Sequence, residues 1–242
     1  MEKYLTIEQG VESVMSVYGY KSEKTWKYIP AKANELCDKL IIDGKEYPFF
    51  WWRTDVQINP LTKMAPERKL CSMKLNRTCP SSEPLERLLY REIDIAEQIL
   101  GSDISKVMCF KNESAMNMLA TMENDRVAVF ELASVLNDDT PEQGRHIYWG
   151  ENGMASDRVV SQKVTSEAIY LFTREQANPE TFNDIFIHMY GLNKVDVIKA
   201  SAIIDILLGK TDISAWNERD EHYKKCIAAA MKSAETVSRI TV

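Results

Sequence analysis

The sequence predicts an α+β fold: an open, mainly antiparallel β-sheet with helices packed on one face. Three observations lead there. Strand-like segments follow one another in quick succession from Ile104 to Thr173, which suits short hairpin turns better than βαβ alternation. Helix-like segments gather before and after that run. With 242 residues, 45% of them hydrophobic and 27% charged, the chain buries a core large enough to need no disulfide or metal staple. Residues 1–242 are read as a single domain.

The elements follow in order. Thr6–Tyr20 is a helix: Thr6 and Gln9 match a capping box, Val11, Val14, Met15 and Tyr18 form one stripe, and Gly19 ends it. A second helix is expected from Pro30 to Ile41, stopped by Gly44. Lys45–Ile58 carries aromatic and β-branched residues and reads as a strand, with Pro48 favouring an edge. Residues 59–84 hold four prolines and one short strand around Leu70–Leu75. Leu85–Leu100 is a helix by its apolar spacing, and Gly101 is its stop. Strands are expected at Ile104–Lys111, Ala115–Met122 and Arg126–Leu136, with a turn at Asn124-Asp125. Others are expected at His146–Trp149, Met154–Val160 and Ala168–Thr173. Helices at Pro179–Tyr190, Val195–Leu208 and Glu218–Ser238, and a short strand at Arg239–Val242, complete the chain.

Charge narrows the function classes. Thirty basic against 36 acidic residues leave a net charge of -6, which opposes nonspecific binding to nucleic acid and to anionic membranes. The longest apolar run, Ala200–Leu208, is interrupted by Ser201 and Asp205 and falls far short of the ~18 residues of a membrane span. Met1-Glu2-Lys3 opens without the charged and apolar regions of a signal peptide, so a cytoplasmic protein is expected. The five cysteines form no C-x-x-C pair and the three histidines no H-E-x-x-H motif. No metal site is expected from that spacing. No histidine has a visible nucleophile partner, so no acyl-transfer triad is expected.

Several segments, in order, carry a family resemblance: Glu2-Lys3, Leu5–Gln9, Lys27-Tyr28-Ile29-Pro30, Leu40–Gly44, Ile93–Ala96 with Ile99-Leu100-Gly101, Gly153–Asp157, and Ala228–Val242. Together they resemble the C-terminal, substrate-binding and oligomerisation domain of the Gfo/Idh/MocA oxidoreductases. In that family a Rossmann domain precedes this one and binds NAD(P). No G-x-G-x-x-G occurs in the 242 residues, so there is no glycine turn in which amides meet a pyrophosphate. The chain alone is expected to bind no cofactor, and NAD(P) enters only if a separate Rossmann-domain subunit supplies its site.

The resemblance also implies where proton handling should sit. The family's Asp-x-Gly-x-His falls on Arg87, Leu89 and Arg91, just before Ile93-Asp94. Arginine stays protonated and cannot act as the base that alcohol oxidation needs. No catalytic residue is therefore assigned. Lys3, Tyr28, Arg87, Arg91 and Asp94 are the candidate ligand-binding residues. Two guanidinium groups four residues apart share a helical face and suit a small sugar-like or anionic ligand. The same spacing also suits a solvated face on which Glu83 pairs with Arg87. Lys3 equally suits a fraying terminus, and the aromatic residues a core. A sheet apolar on both faces points to a homo-oligomer formed through one of them. The expected function is a non-catalytic relative of that domain, binding a ligand or a protein partner. The alternative is the substrate-domain subunit, or a fragment, of a sugar or polyol oxidoreductase.

Overall fold

A computed structural model describes residues 5–54, 71–140, 142–151, 153–157, 169–173, 180–182, 192 and 194–242, with backbone alone at 169–173, 180–182 and 194. The chain gathers into two compact units, residues 1–56 with 184–220 and residues 57–183 with 221–242. Lys3 and His188 lie outside the described residues.

The first unit contains helix α1 (Ile7–Val17), strands β1 (Trp26–Ile29), β2 (Lys39–Ile42) and β3 (Lys45–Pro48), and one 3-10 turn at Trp51–Thr54. Helix α3 (Lys194–Leu207) and the first residues of helix α4 (Trp216–Thr236) also belong to it. The expected capping box forms: Thr6 Oγ1 accepts the Gln9 amide at 3.3 Å, and Gln9 Oε1 accepts the Thr6 amide at 3.0 Å. Gly10 allows Leu192 to approach α1, because a Cβ there would lie 2.5 Å from Leu192 Cδ1.

The expected helix Pro30–Ile41 does not form. Residues 30–38 are irregular and Lys39–Ile42 is a strand in an antiparallel sheet ordered β1-β2-β3. The Asp38 carboxylate explains the irregular stretch: it accepts the Ala31 amide at 2.8 Å and the Tyr28 hydroxyl at 3.0 Å. Asp43 and Gly44 have φ of 50° and 80°. They form the two-residue turn whose twist matches a hairpin, joining Ile42 to its partner Lys45. The strand expected over Lys45–Ile58 stops at Pro48, and Phe49, Phe50 and Trp52 turn into the core beside Trp216.

Among the described residues the second unit is built on a nine-stranded sheet. Its strands are β4 (Cys71–Pro80), β5 (Ile104–Lys111), β6 (Ala115–Met122), β7 (Val127–Leu136), β8 (Gln143–Gly150), β9 (Gly153–Ser156), β10 (Ile169–Thr173), β11 (Glu180–Phe182) and β12 (Ile240–Thr241). Their order is β11-β10-β9-β8-β4-β7-β6-β5-β12, so the sheet is open. Among the described residues only β4 and β7 pair in parallel, across the connection that holds helix α2 (Leu85–Leu100). The α+β class and the mainly antiparallel sheet agree with the sequence. Glu180–Phe182, expected to begin a helix, is instead an edge strand against β10; the remainder of that expected helix lies outside the described residues.

Alternation gives the sheet two unlike faces. Met73, Leu75 and Cys79 of β4, Ala128, Phe130 and Leu132 of β7, Met116–Met122 at every second position of β6, and Tyr148 of β8 are buried. Helix α2 covers this inner face through contacts with β4, β6 and β7. Leu88, Leu89, Ile93, Ala96 and Ile99 on α2 are buried as expected, and Gly101 ends the helix at φ 64°. Among the described residues no helix is long and apolar enough to cross a membrane.

Candidate ligand site and the buried ionic chain beneath it

The inner face carries charge where its phase calls for apolar side chains. Arg77 falls in register with Leu75 and Cys79, and His146 in register with Tyr148. His146 is held between two acids. Its Nδ1 lies 2.6 Å from Asp157 Oδ2 and its Nε2 lies 2.7 Å from Glu92 Oε2. The His146 amide also donates to Asp157 Oδ1 at 2.7 Å. Arg77 Nε donates to Glu92 and Arg77 Nη1 to Glu142. Arg91 Nη2 donates to the same Glu142 oxygen at 2.7 Å, and its Nε stands 3.5 Å from Glu92.

Three acids thus face three bases, and the group is neutral when His146 is protonated. Burial would push His146 down, but Glu92 and Asp157 overcome it and raise the imidazole to about 9. Burial works against the Glu92 carboxylate too, yet Arg77, His146 and Arg91 hold it well below its usual range. Asp157 is kept low by His146 against its own burial, and Glu142 by Arg91 and Arg77. Both ring nitrogens of His146 are engaged by carboxylates. The chain of charges ties β4, β8 and α2 together.

Gly144 is part of that order. It pairs with Arg77 across β4 and β8, and a Cβ on it would meet Arg77 Nη1 at 2.7 Å and Cζ at 2.9 Å. Arg77 is tethered at Glu92 and Glu142, so it has little room to yield. Gly144→Ala is expected to cost about 1–3 kcal/mol by overpacking, read as a lower midpoint in urea; an unchanged midpoint would show the guanidinium to be free to move.

The opposite face of the same strands is open. Lys74, Asn76, Thr78, Gln143, Arg145 and Ile147 line a depression of about 280 Å³, near the lower end of small-molecule sites. Lys74 pairs with Glu131 at 2.7 Å, and Asn76 donates to Glu131 at 3.2 Å. Arg145 Nε is buried and has no hydrogen-bond partner among the described residues. A buried donor left unmade costs about 1–3 kcal/mol, which a ligand oxygen would recover. Around this depression the face exposes apolar side chains, from 40% at Trp149 through Leu119 and Phe110 to 55% at Val135.

Of the five sequence candidates, Arg87, Arg91 and Asp94 share helix α2. Tyr28 is in the first unit, where its hydroxyl donates to Asp38 and accepts from Lys199 Nζ at 3.0 Å. Burial, and then Asp38, push its phenol far up. Arg87 pairs with Glu83 at 3.0 Å, Arg91 joins the ionic chain, and Asp94 is buried as acceptor for Tyr223 Oη and for Gln98 Nε2 at 2.9 Å. Lys3 lies outside the described residues. Arg145 was not singled out by spacing. Its only signal is a cation standing between two inward-facing positions of a strand.

No family model matches the sequence, and no curated protein matches it. Solved structures do. An oxidoreductase from Agrobacterium radiobacter, in complex with NAD+, L-tartaric acid and magnesium, matches with TM-score 0.60 and 12% identity, over 81% of this chain and 64% of that one. Levoglucosan dehydrogenase, in complex with NADH and levoglucosan, matches with TM-score 0.60 and 13% identity over 80% and 64%. Scyllo-inositol dehydrogenase from Lactobacillus casei, with NAD(H) and scyllo-inositol, matches with TM-score 0.56 and 13% identity over 79% and 63%. The chain thus spans less than two thirds of the length of these structures. Over the part of these structures that it covers, the chain shares the fold of these oxidoreductases.

Proposed function

We propose that this chain is a binding domain of the substrate-side type that transfers no hydride by itself. The observation that carries this reading is the state of helix α2. Arg87 and Arg91 stand where the resemblance puts an acid and an imidazole, and both guanidinium groups sit on carboxylates. Neither takes up a proton from an alcohol at working pH. The absence of any G-x-G-x-x-G in the 242 residues supports the same reading.

Binding then belongs to the outer face of the sheet. The ligand is a small polar anion such as a sugar acid or sugar phosphate, taken by Arg145 with Asn76, Thr78 and Gln143 as hydrogen-bonding neighbours. The exposed Phe110, Leu119, Val135 and Trp149 of the same face suit a second copy of the chain. A second reading, favoured by the partial coverage of the dehydrogenases, makes the chain the substrate half of an oxidoreductase whose Rossmann domain is supplied separately.

Thermal shift with gluconate, galacturonate, a hexose phosphate and inorganic phosphate tests the ligand. At least one is expected to raise the wild-type Tm, to lose its effect in Arg145→Ala and to keep it in Arg87→Ala. Equal shifts in wild type and Arg145→Ala would remove the outer-face site. Light scattering tests the second copy: more than one chain per particle in wild type, and a monomer in Leu119→Glu.

A further inference from the structure

A second cluster of donors lies apart from the ionic chain. Glu97 in the last turn of α2, and His222 and Cys226 one turn apart on α4, bring a carboxylate oxygen, a ring nitrogen and Sγ within 4.8 Å of one another. His222 Nε2 is 2.7 Å from Glu97 Oε1 and 3.5 Å from Cys226 Sγ. Both neighbours face the same ring nitrogen. A relay in which imidazole carries a proton from thiol to carboxylate needs one partner on each nitrogen, so the arrangement is not a nucleophilic triad. It is a convergence of three donors on one point.

We propose that Glu97, His222 and Cys226 bind one divalent zinc-like ion. The donor set is thiolate, imidazole and carboxylate, all of which zinc accepts. Bond lengths of about 2.0–2.3 Å in a tetrahedron place ligand atoms roughly 3.3–3.7 Å apart. The nitrogen–sulfur separation already matches. The nitrogen–oxygen pair has to open by about 0.6 Å, from 2.7 Å, as the ion replaces the proton now shared there.

The surroundings suit the ion. Glu97 and Cys226 are buried, and the Glu97 carboxylate is oriented by the Ile104 amide, which donates to Oε1 at 2.8 Å. With the ion bound, two anionic ligands and a neutral imidazole cancel its charge inside the protein. The thiol proton leaves to solvent, and Nε2 gives up its proton while Nδ1 carries one, so the ligating imidazole is neutral. His222 is the most exposed of the three, with a fifth of its side chain accessible. It marks the side from which an ion enters and at which a fourth ligand, a water, completes the tetrahedron. The four other cysteines lie outside this cluster.

Cobalt(II), added to the full chain after dialysis against chelator, is the probe. One ion per chain is expected, with a thiolate-to-cobalt charge-transfer band in the near ultraviolet and the visible bands of a tetrahedral centre. Zinc should displace both. Cys226→Ser should abolish the charge-transfer band, and His222→Ala should weaken zinc binding at least about tenfold. Cys37→Ser and Cys71→Ser should leave the band unchanged. Circular dichroism separates loss of the site from loss of the fold. Because Cys226 is buried, the wild-type band is also followed with pH, and it should fade on acidification as thiolate and imidazole recover their protons. A wild-type chain with no charge-transfer band at stoichiometric cobalt would overturn the site. So would a band that persists in a folded Cys226→Ser protein.

Discussion

Replacing Glu92 by alanine is expected to lower the unfolding free energy by about 3–5 kcal/mol, the cost of stripping the shared partner from buried cations. Glu92 is fully buried and serves Arg77, His146 and Arg91 together. Without it Arg77 keeps Glu142, but His146 keeps only Asp157, and the inner face carries uncompensated positive charge. In a chain of this length that corresponds to a fall in Tm of roughly 10 °C. Glu131→Ala is the matched control, since its ion pair with Lys74 is more than a third exposed on both sides and is worth less than about 1 kcal/mol. Urea unfolding of the two variants gives the comparison. Similar losses in both would mean that the ionic chain holds nothing together.

The second large effect is on the pH profile of stability. The folded state raises His146 from 6.5 to about 9, so it binds that proton more tightly than the unfolded chain does. The resulting stabilisation is complete below pH 6.5 and is lost as pH rises through about 9. It amounts to something on the order of 3 kcal/mol. Glu92 and Asp157 act in the opposite sense. Their carboxyls are depressed, so their contribution is present above the ordinary carboxylate range and disappears as pH falls through their folded values. Stability is therefore expected to be greatest between about pH 5 and 6.5 and to decline on both sides. In His146→Gln the alkaline decline should vanish while the acid limb remains. A wild-type profile flat from pH 6.5 to 9 would contradict a protonated His146.

These effects mark where the fold was legible and where it was not. Helix α2 was legible because its leucines and isoleucines repeat at helical spacing and Gly101 follows them. The hairpin of β6 and β7 was legible because Asn124-Asp125 punctuates two apolar runs, and Asp125 does adopt φ 62°. The β2–β3 hairpin was missed although Asp43-Gly44 is a strong turn signal. Leu40, Ile41 and Ile42 fit either period over so short a run, and Pro30 suggested a helix start. Tertiary bonds to Asp38 decide the matter, and no local pattern contains them.

The site was less legible than the fold. Arg77, Glu92, Glu142, His146 and Asp157 are spread over eighty residues and meet only through strand register. Their one sequence trace is a charge at an apolar phase: Arg77 between Leu75 and Cys79, and Glu92 beside Ile93 on the buried side of α2. The same holds for Glu97. His222 and Cys226 are visibly one helical turn apart, but their third partner lies more than a hundred residues earlier. Arg87 and Arg91 stand out by their spacing before Ile93-Asp94, but their pairing with carboxylates is a matter of the folded chain.

The binding-domain reading meets its most direct test in nucleotide titration. NADH and NADPH are added to the purified chain, their fluorescence is followed, and turnover is assayed with a set of sugars and polyols. No saturable binding in the micromolar range and no turnover are expected from this chain alone. Saturable binding with hydride transfer to or from any of those substrates would contradict it.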